Sequence, residues 1–287
     1  MEDLRLENHR NNLVDKASEN HGEEDETGDK QSWDDNLVDK IKDIIGYEFK
    51  NPNLLQQAFT HYSYLDQDKT STTSYERLEY IGDSILSFFM AEEHFRLYPD
   101  LPPGQLTKLR AANVDTEKLA RVAFKYKLHT FLRHKKPLLA GQIKEFEEAI
   151  LNYPIHSSGL LNAPKALADI VESLVGAIYI DSNSMETTCK IVKNLLQPMI
   201  TPSTLHTHPV TLLYEICQKN KVKLESRDLW KETGEVEFMV DGEFVGRAKY
   251  RAKRVVANNR AAYEACHKII RKLKLENPED NESGSQQ

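Results

Sequence analysis

The chain has 287 residues, of which 39% are hydrophobic and 29% charged, enough material for one large domain or two ordinary ones. No apolar run reaches the roughly 18 residues of a membrane span, and the charged stretch Met1 to Asn11 is unlike a secretory signal, so no membrane partner is expected. The net charge of −7 speaks against a nucleic-acid binder only if it is evenly spread, and it is not: acids crowd Glu19 to Asp35, while Arg247, Lys249, Arg251, Lys253, Arg254 and Arg260 crowd one late segment.

Residues 1–34 hold few apolar side chains and cannot bury enough surface to offset ordering entropy, which predicts disorder. Structure is expected from Asp35 or Asn36, either a plausible N-cap, because Leu37, Val38, Ile41, Ile44 and Ile45 recur at helical spacing. Asn51-Pro52 opens a second helix carrying Leu54, Leu55, Ala58 and Phe59. A polar loop, 66–74, precedes a long apolar stretch, 75–98, whose length and lack of alternation predict a buried helix stopped by Pro99. Further helices are expected over 106–112, 116–126, 142–151, 164–180 and 185–196, and no strand before residue 200. Prolines 198, 202 and 209 mark a linker, taken as 201–208 between a domain over 35–200 and a second over 209–275. In the second, 210–218 reads as an amphipathic helix, 236–240 and 243–250 as strands joined by an Asp241-Gly242 turn, and 255–272 as a closing helix. The polar tail, 276–287, is again expected to be disordered. Cys189, Cys217 and Cys266 form no C-x-x-C pair, which suits a reducing intracellular compartment, nucleus or cytoplasm, and suggests no thiolate zinc site.

The chemistry is carried by acids placed where a core should be. The helix E-R-L-E-Y-I-G-D-S-I-L-S-F-F, 76–89, has Glu76, Glu79 and Asp83 near one face among Leu78, Ile81, Ile85, Leu86, Phe88 and Phe89. The helix A-L-A-D-I-V-E-S-L-V-G-A-I-Y-I, 166–180, has Asp169 and Glu172, with Gly176 on the same stripe, where a missing side chain lets another helix approach. One acidic pair on a helix is ordinarily a solvated face; two pairs in two apolar helices, with no interleaved cation, are not. Four converging carboxylates make an oxygen site for a hard cation, Mg²⁺ with Mn²⁺ as substitute, suited to phosphodiester hydrolysis. Glu76 has a second reading, a capping box with Thr73.

At these residues the chain resembles the ribonuclease III family. The family signature E-R-L-E-(F/Y)-(L/I)-G-D-(A/S)-(I/V)-L is matched along 76–86, and D-x-x-E followed by G-A at Asp169, Glu172, Gly176 and Ala177. A-F-T-H-Y-S-Y (58–64) and L-T-K-L-R-A-A (106–112) match its supporting segments, and P-K-A-L-A-D (164–169) looks more like the plant and dicer branch than the bacterial one. The resemblance implies a multidomain chain, an all-α nuclease domain followed by a small α+β (α-β-β-β-α) double-stranded-RNA-binding domain. It implies a metal-dependent endoribonuclease acting as a homodimer on double-stranded RNA, each subunit cutting one strand to leave two-nucleotide 3′ overhangs, in RNA processing or a small-RNA pathway. It assigns Glu79, Asp83, Asp169 and Glu172 to metal binding and water activation. Lys165 aligns with a lysine that meets the scissile phosphate, or is an ordinary lysine at a helix start. His61 has no catalytic counterpart and is expected to be packed or hydrogen-bonded. In the second domain Thr211 and Glu215 would face a minor groove, and Lys253, Arg254 and the following helix, with Asn258 in place of a third lysine, would meet phosphates. Two departures stand out: Pro103 replaces a bacterial glutamate, and the G-P-x-H turn is missing around Thr233-Gly234-Glu235. A catalytically idle RNA-binding partner of an active enzyme is the alternative.

Overall fold

The computed structural model of the protein describes residues 35–65 and 74–276. The predicted disordered ends, most of the polar loop, and Thr73 of the suggested capping box lie outside the described residues.

Among the described residues the first domain holds eight α-helices: α1 (Asp35–Ile45), α2 (Pro52–Ala58), α3 (Glu76–Leu97), α4 (Pro103–Val114), α5 (Thr116–Lys125), α6 (Leu139–Ile150), α7 (Lys165–Ser182) and α8 (Met185–Leu195). Local chemistry sets several of the starts: Asn51 accepts from the Asn53 N–H ahead of Pro52, and Asp115 accepts from Lys118 N at 2.8 Å. Helix α7 is the centre. Every residue from Ala166 to Ile178 is buried except Glu172, and α2, α3, α5 and α8 pack around it. A helix apolar on all sides has to be surrounded in this way. Ser173 adds a hydroxyl donor to Ala58 O at 2.6 Å, tying α7 to the end of α2.

The second domain comprises α9 (Pro209–Lys219), β1 (Leu224–Leu229), the short α10 (Trp230–Thr233), β2 (Glu235–Val240), β3 (Glu243–Lys249) and α11 (Arg254–Glu276). The three strands form one antiparallel sheet in sequence order. Leu213, Cys217, Val236, Phe238, Ala261 and Cys266 are among its core residues. Asp241 (φ 50°) and Gly242 (φ 83°) are both left-handed, as a two-residue hairpin turn requires. Strand β1 escaped the sequence reading because L-E-S-R-D-L is polar and exposed along almost its whole length. It is an edge strand held by backbone pairing to β2, from Leu224↔Val240 to Leu229↔Glu235. Helix α11 continues to Glu276, one residue into the segment assigned to the tail.

The two domains are joined by more than a linker. Glu117, buried in α5, accepts from Arg121 Nε and Nη2 on one oxygen, Oε1, and also accepts both the backbone N–H and the hydroxyl of Ser157. The Ser157 hydroxyl oxygen in turn accepts from Leu160 N and Leu161 N. The turn so fixed, with Ser158 and Gly159 at positive φ, presents two carbonyls to α11: Asn259 Nδ2 donates to Gly159 O and Arg260 Nε to Leu160 O, each at 2.8 Å. A Cβ on Gly159 would lie 2.6 Å from Asn259 Nδ2 and 3.0 Å from His208 Nε2, at a φ of +89° that penalises any side chain. Gly159→Ala is therefore expected to loosen the second domain and speed proteolysis within 201–208; an unchanged cleavage rate would show that this turn does not hold it.

Candidate functional site

Helices α3 and α7 meet backbone to backbone. A Cβ at Gly82 would fall 1.8 Å from Glu172 O, and one at Gly176 2.2 Å from Leu78 O, a reciprocal pairing that makes the helices antiparallel. Glycine alone permits that approach. It brings three carboxylates together: one oxygen from each of Glu79, Asp169 and Glu172 lies within 4.8 Å of the other two. Asp169 is buried, and Glu79 and Glu172 half-buried.

Two further side chains complete the cluster. Lys165 Nζ sits 2.7 Å from Glu79 Oε1 and 2.5 Å from Asp169 Oδ1, bridging the helices. The buried Tyr75 hydroxyl donates to Asp169 Oδ2 at 2.9 Å. Burial, then repulsion by Asp169, Glu79 and Asp83, pushes Glu172 up to about 7, with Lys165 acting in the opposite direction. Burial on its own would lower Lys165, but its hydrogen bonds to Asp169 and Glu79 raise it further. Burial and the Asp169 charge hold the Tyr75 phenol above its usual range, so it remains a donor.

The residues fit a divalent cation. The donor set is all oxygen, as a hard cation requires. The Lys165 ammonium already occupies a cationic position between Glu79 and Asp169. It matches only part of the negative charge: among the described residues Glu172 forms no ion pair, and Glu76 Oε2, at the head of α3, is buried without a hydrogen-bond partner.

Three readings from the sequence need correction. Asp83 is exposed and stands outside the three-carboxylate group, although its charge still reaches Glu172. The contact line with α7 runs through Gly82, and the next residue points about 100° away from it. Glu76 is the first residue of α3 and Tyr75 its cap, without a side-chain hydrogen bond, so Glu76 is not at the third helical position that a capping box needs. The acids are also not without a cation, since Lys165 reaches forward one turn to Asp169 and across to Glu79. Tyr75 was missed because nothing in its spacing separates it from a core aromatic. His61 is buried and structural: its Nδ1 accepts from Ser63 N at 2.9 Å.

On the second domain Thr211 and Glu215 are exposed on α9, and Thr211 lines a cleft with Gln105 and Lys108 of α4. Lys253 is exposed just before α11, Arg254 is paired with Asp228 of β1 at 2.6 Å, and Asn258 is half-buried. The next residue, Asn259, faces the first domain.

Residues 76–183 match the ribonuclease III domain, and residues 209–269 the double-stranded RNA binding motif. Ribonuclease 3-like protein 3 of Oryza sativa subsp. japonica is 49% identical over 235 residues, covering 81% of this chain and 78% of that protein. The chain belongs to the ribonuclease III family. The chain is also 41% identical to Endoribonuclease Dicer homolog 1 of the same organism over 86% of its own length, but spans only 13% of that much longer protein. The nuclease domain of ribonuclease III from Campylobacter jejuni is 28% identical, covers 56% of this chain with 96% of its own, and superimposes with a TM-score of 0.45. The family is one of double-stranded-RNA endoribonucleases, and its nuclease and RNA-binding modules are the two domains described above. In this family member, Pro103 is the first residue of α4, where a rigid φ suits a helix start and no carboxylate is supplied. No helix among the described residues is long and apolar enough to cross a membrane.

Proposed function

We propose that this member of the ribonuclease III family cleaves double-stranded RNA by metal-assisted phosphodiester hydrolysis, with Mg²⁺ as the natural cation and Mn²⁺ as a substitute. The observation that carries this reading is the convergence of Glu79, Asp169 and Glu172 between two apolar helices. These three would hold the cation, with Asp83 at the rim. Bound there, it supplies Lewis acidity toward the phosphoryl group and lowers the pKa of water. Lys165, now paired with Glu79 and Asp169, would be freed to meet the phosphate if a cation balanced their charge. With its carboxyl pushed up to about 7, Glu172 is only partly ionised near neutral pH, and protons there would compete with the cation.

A homodimer through the nuclease domain belongs to the same reading. On α3 the exposed Tyr80, Ser84, Phe88, Ala91 and Phe95 follow one another at spacings of four and three, an unpartnered stripe with large aromatics at both ends. Two sites related by a two-fold axis would cut both strands. Sequencing the fragment ends tests this: two-nucleotide 3′ overhangs are expected, and single-strand nicks would contradict paired sites. Thr211, Glu215, Lys253, Arg254 and Asn258 would contact the duplex, read mainly by shape. Lys253→Ala is expected to weaken RNA binding about equally for all sequences and to reduce the salt slope of log K by about 1; an unchanged slope in a salt titration would remove Lys253 from the RNA face. Such a role places the protein inside the cell, in nucleus or cytoplasm, processing RNA or supplying a small-RNA pathway.

A further inference from the structure

We propose that Tyr75 is a positioning residue of the metal centre, holding the Asp169 carboxylate so that one of its oxygens stays turned toward Glu79 and Glu172. The inference rests on the metal-centre reading above. Asp169 is the most deeply buried acid of the cluster, 6% exposed, and its two oxygens have different partners. Lys165, which also meets Glu79 Oε1, takes Oδ1, whereas Tyr75 takes Oδ2. A cation held by the cluster would compete with Lys165 for Oδ1, whereas the Tyr75 hydrogen bond is made to the other oxygen. The phenol is then the permanent partner, and the ammonium the exchangeable one.

Tyr75 can act in this way because it is itself immobilised. Its backbone N–H donates to Thr60 O at 2.9 Å, and the Thr60 hydroxyl donates to Gln56 O at 2.6 Å in α2. The ring is 2% exposed and stands edge-on to His61, with centroids 5.5 Å apart. The segment A-F-T-H, 58–61, thereby fixes one end of Tyr75, and Asp169 receives the other. Hydrogen bonds behind a metal-binding group fix its orientation, and removing them lowers metal affinity about 10- to 100-fold.

Tyr75→Phe keeps the ring and deletes only the hydroxyl. Mn²⁺ alone is the probe, with free ion measured by electron paramagnetic resonance on the full chain without RNA, and RNA cleavage is measured in parallel. The expected result is at least about tenfold weaker Mn²⁺ binding, a lower kcat at unchanged KM for RNA, and recovery of rate at high Mn²⁺. Equal Mn²⁺ affinity in wild type and variant would overturn the proposal alone and leave Tyr75 as packing. A wild type with no saturable Mn²⁺ binding would overturn the metal centre, and the proposal with it. If the wild type binds Mn²⁺ without cutting RNA, the ratio of affinities still decides the role of Tyr75.

Discussion

Glu172→Gln is expected to abolish RNA cleavage and, in the absence of divalent ions, to raise the melting temperature at pH 8. The two effects have one cause. In the folded chain the Glu172 carboxyl is pushed up to about 7 by burial and by repulsion from Asp169, Glu79 and Asp83. Between the ordinary carboxylate range and about pH 7 the folded state therefore binds a proton that the unfolded state has lost. The stability linked to this proton is fully present at low pH and is lost as pH rises through about 7. A shift of this size corresponds to roughly 3 kcal/mol, reduced to about 2 kcal/mol by solvent screening of a half-buried group, or several degrees in melting temperature for a chain of this length. Glutamine removes the penalty. It also removes a carboxylate the cation needs, and cleavage should fall by about 100-fold or more, the scale of losing one charge-stabilising group. For the same reason, metal affinity in the wild type should weaken toward tenfold per pH unit below about 7. Equal melting temperatures for wild type and variant across pH 5 to 8 would show that Glu172 ionises without penalty.

The second large effect is expected at Gly82. Alanine in a helix interior normally stabilises by about 1 kcal/mol over glycine. Here its Cβ would be placed 1.8 Å from the Glu172 carbonyl, against backbone that cannot rotate away. The helices must separate, and overpacking of this kind costs up to about 3 kcal/mol or more. Separation also spreads Glu79 from Asp169 and Glu172, so metal affinity should fall with stability. Gly104→Ala is the control, since nothing lies within 4 Å of its Cβ. Thermal melts of the two variants should move apart, Gly82→Ala strongly down and Gly104→Ala little changed. A neutral Gly82→Ala would mean that the α3–α7 contact is looser than described.

These two sites also show where sequence reading succeeds and where it stops. Acids inside apolar helices are legible because a buried carboxylate is expensive, and the Asp241-Gly242 turn is legible because two left-handed residues in a row demand such a pair. Gly176 was read as a point of close approach, but its counterpart Gly82 was not, and Gly82 sets which face of α3 meets α7. Without it, spacing of four places Asp83 beside Glu79, and the structure turns it to solvent. The bridge from Lys165 depends on a rotamer, and the Tyr75–Asp169 bond joins residues 94 apart in the chain. Likewise the turn at Gly159 becomes a docking point only when α11 arrives with Asn259 and Arg260, 100 residues later. Contacts made by single atoms over such separations leave no periodic trace.

The central claim, that the cluster between α3 and α7 is a hydrolytic metal centre, is tested most directly by titrating Mg²⁺ into EDTA-stripped protein with a labelled long RNA duplex. Glu172→Gln runs alongside. Saturable, Mg²⁺-dependent cutting by the wild type, absent in EDTA and in the variant, is the predicted result. Duplex binding by both proteins with no cutting at any Mg²⁺ concentration would contradict the account and leave an RNA-binding protein with an idle nuclease fold.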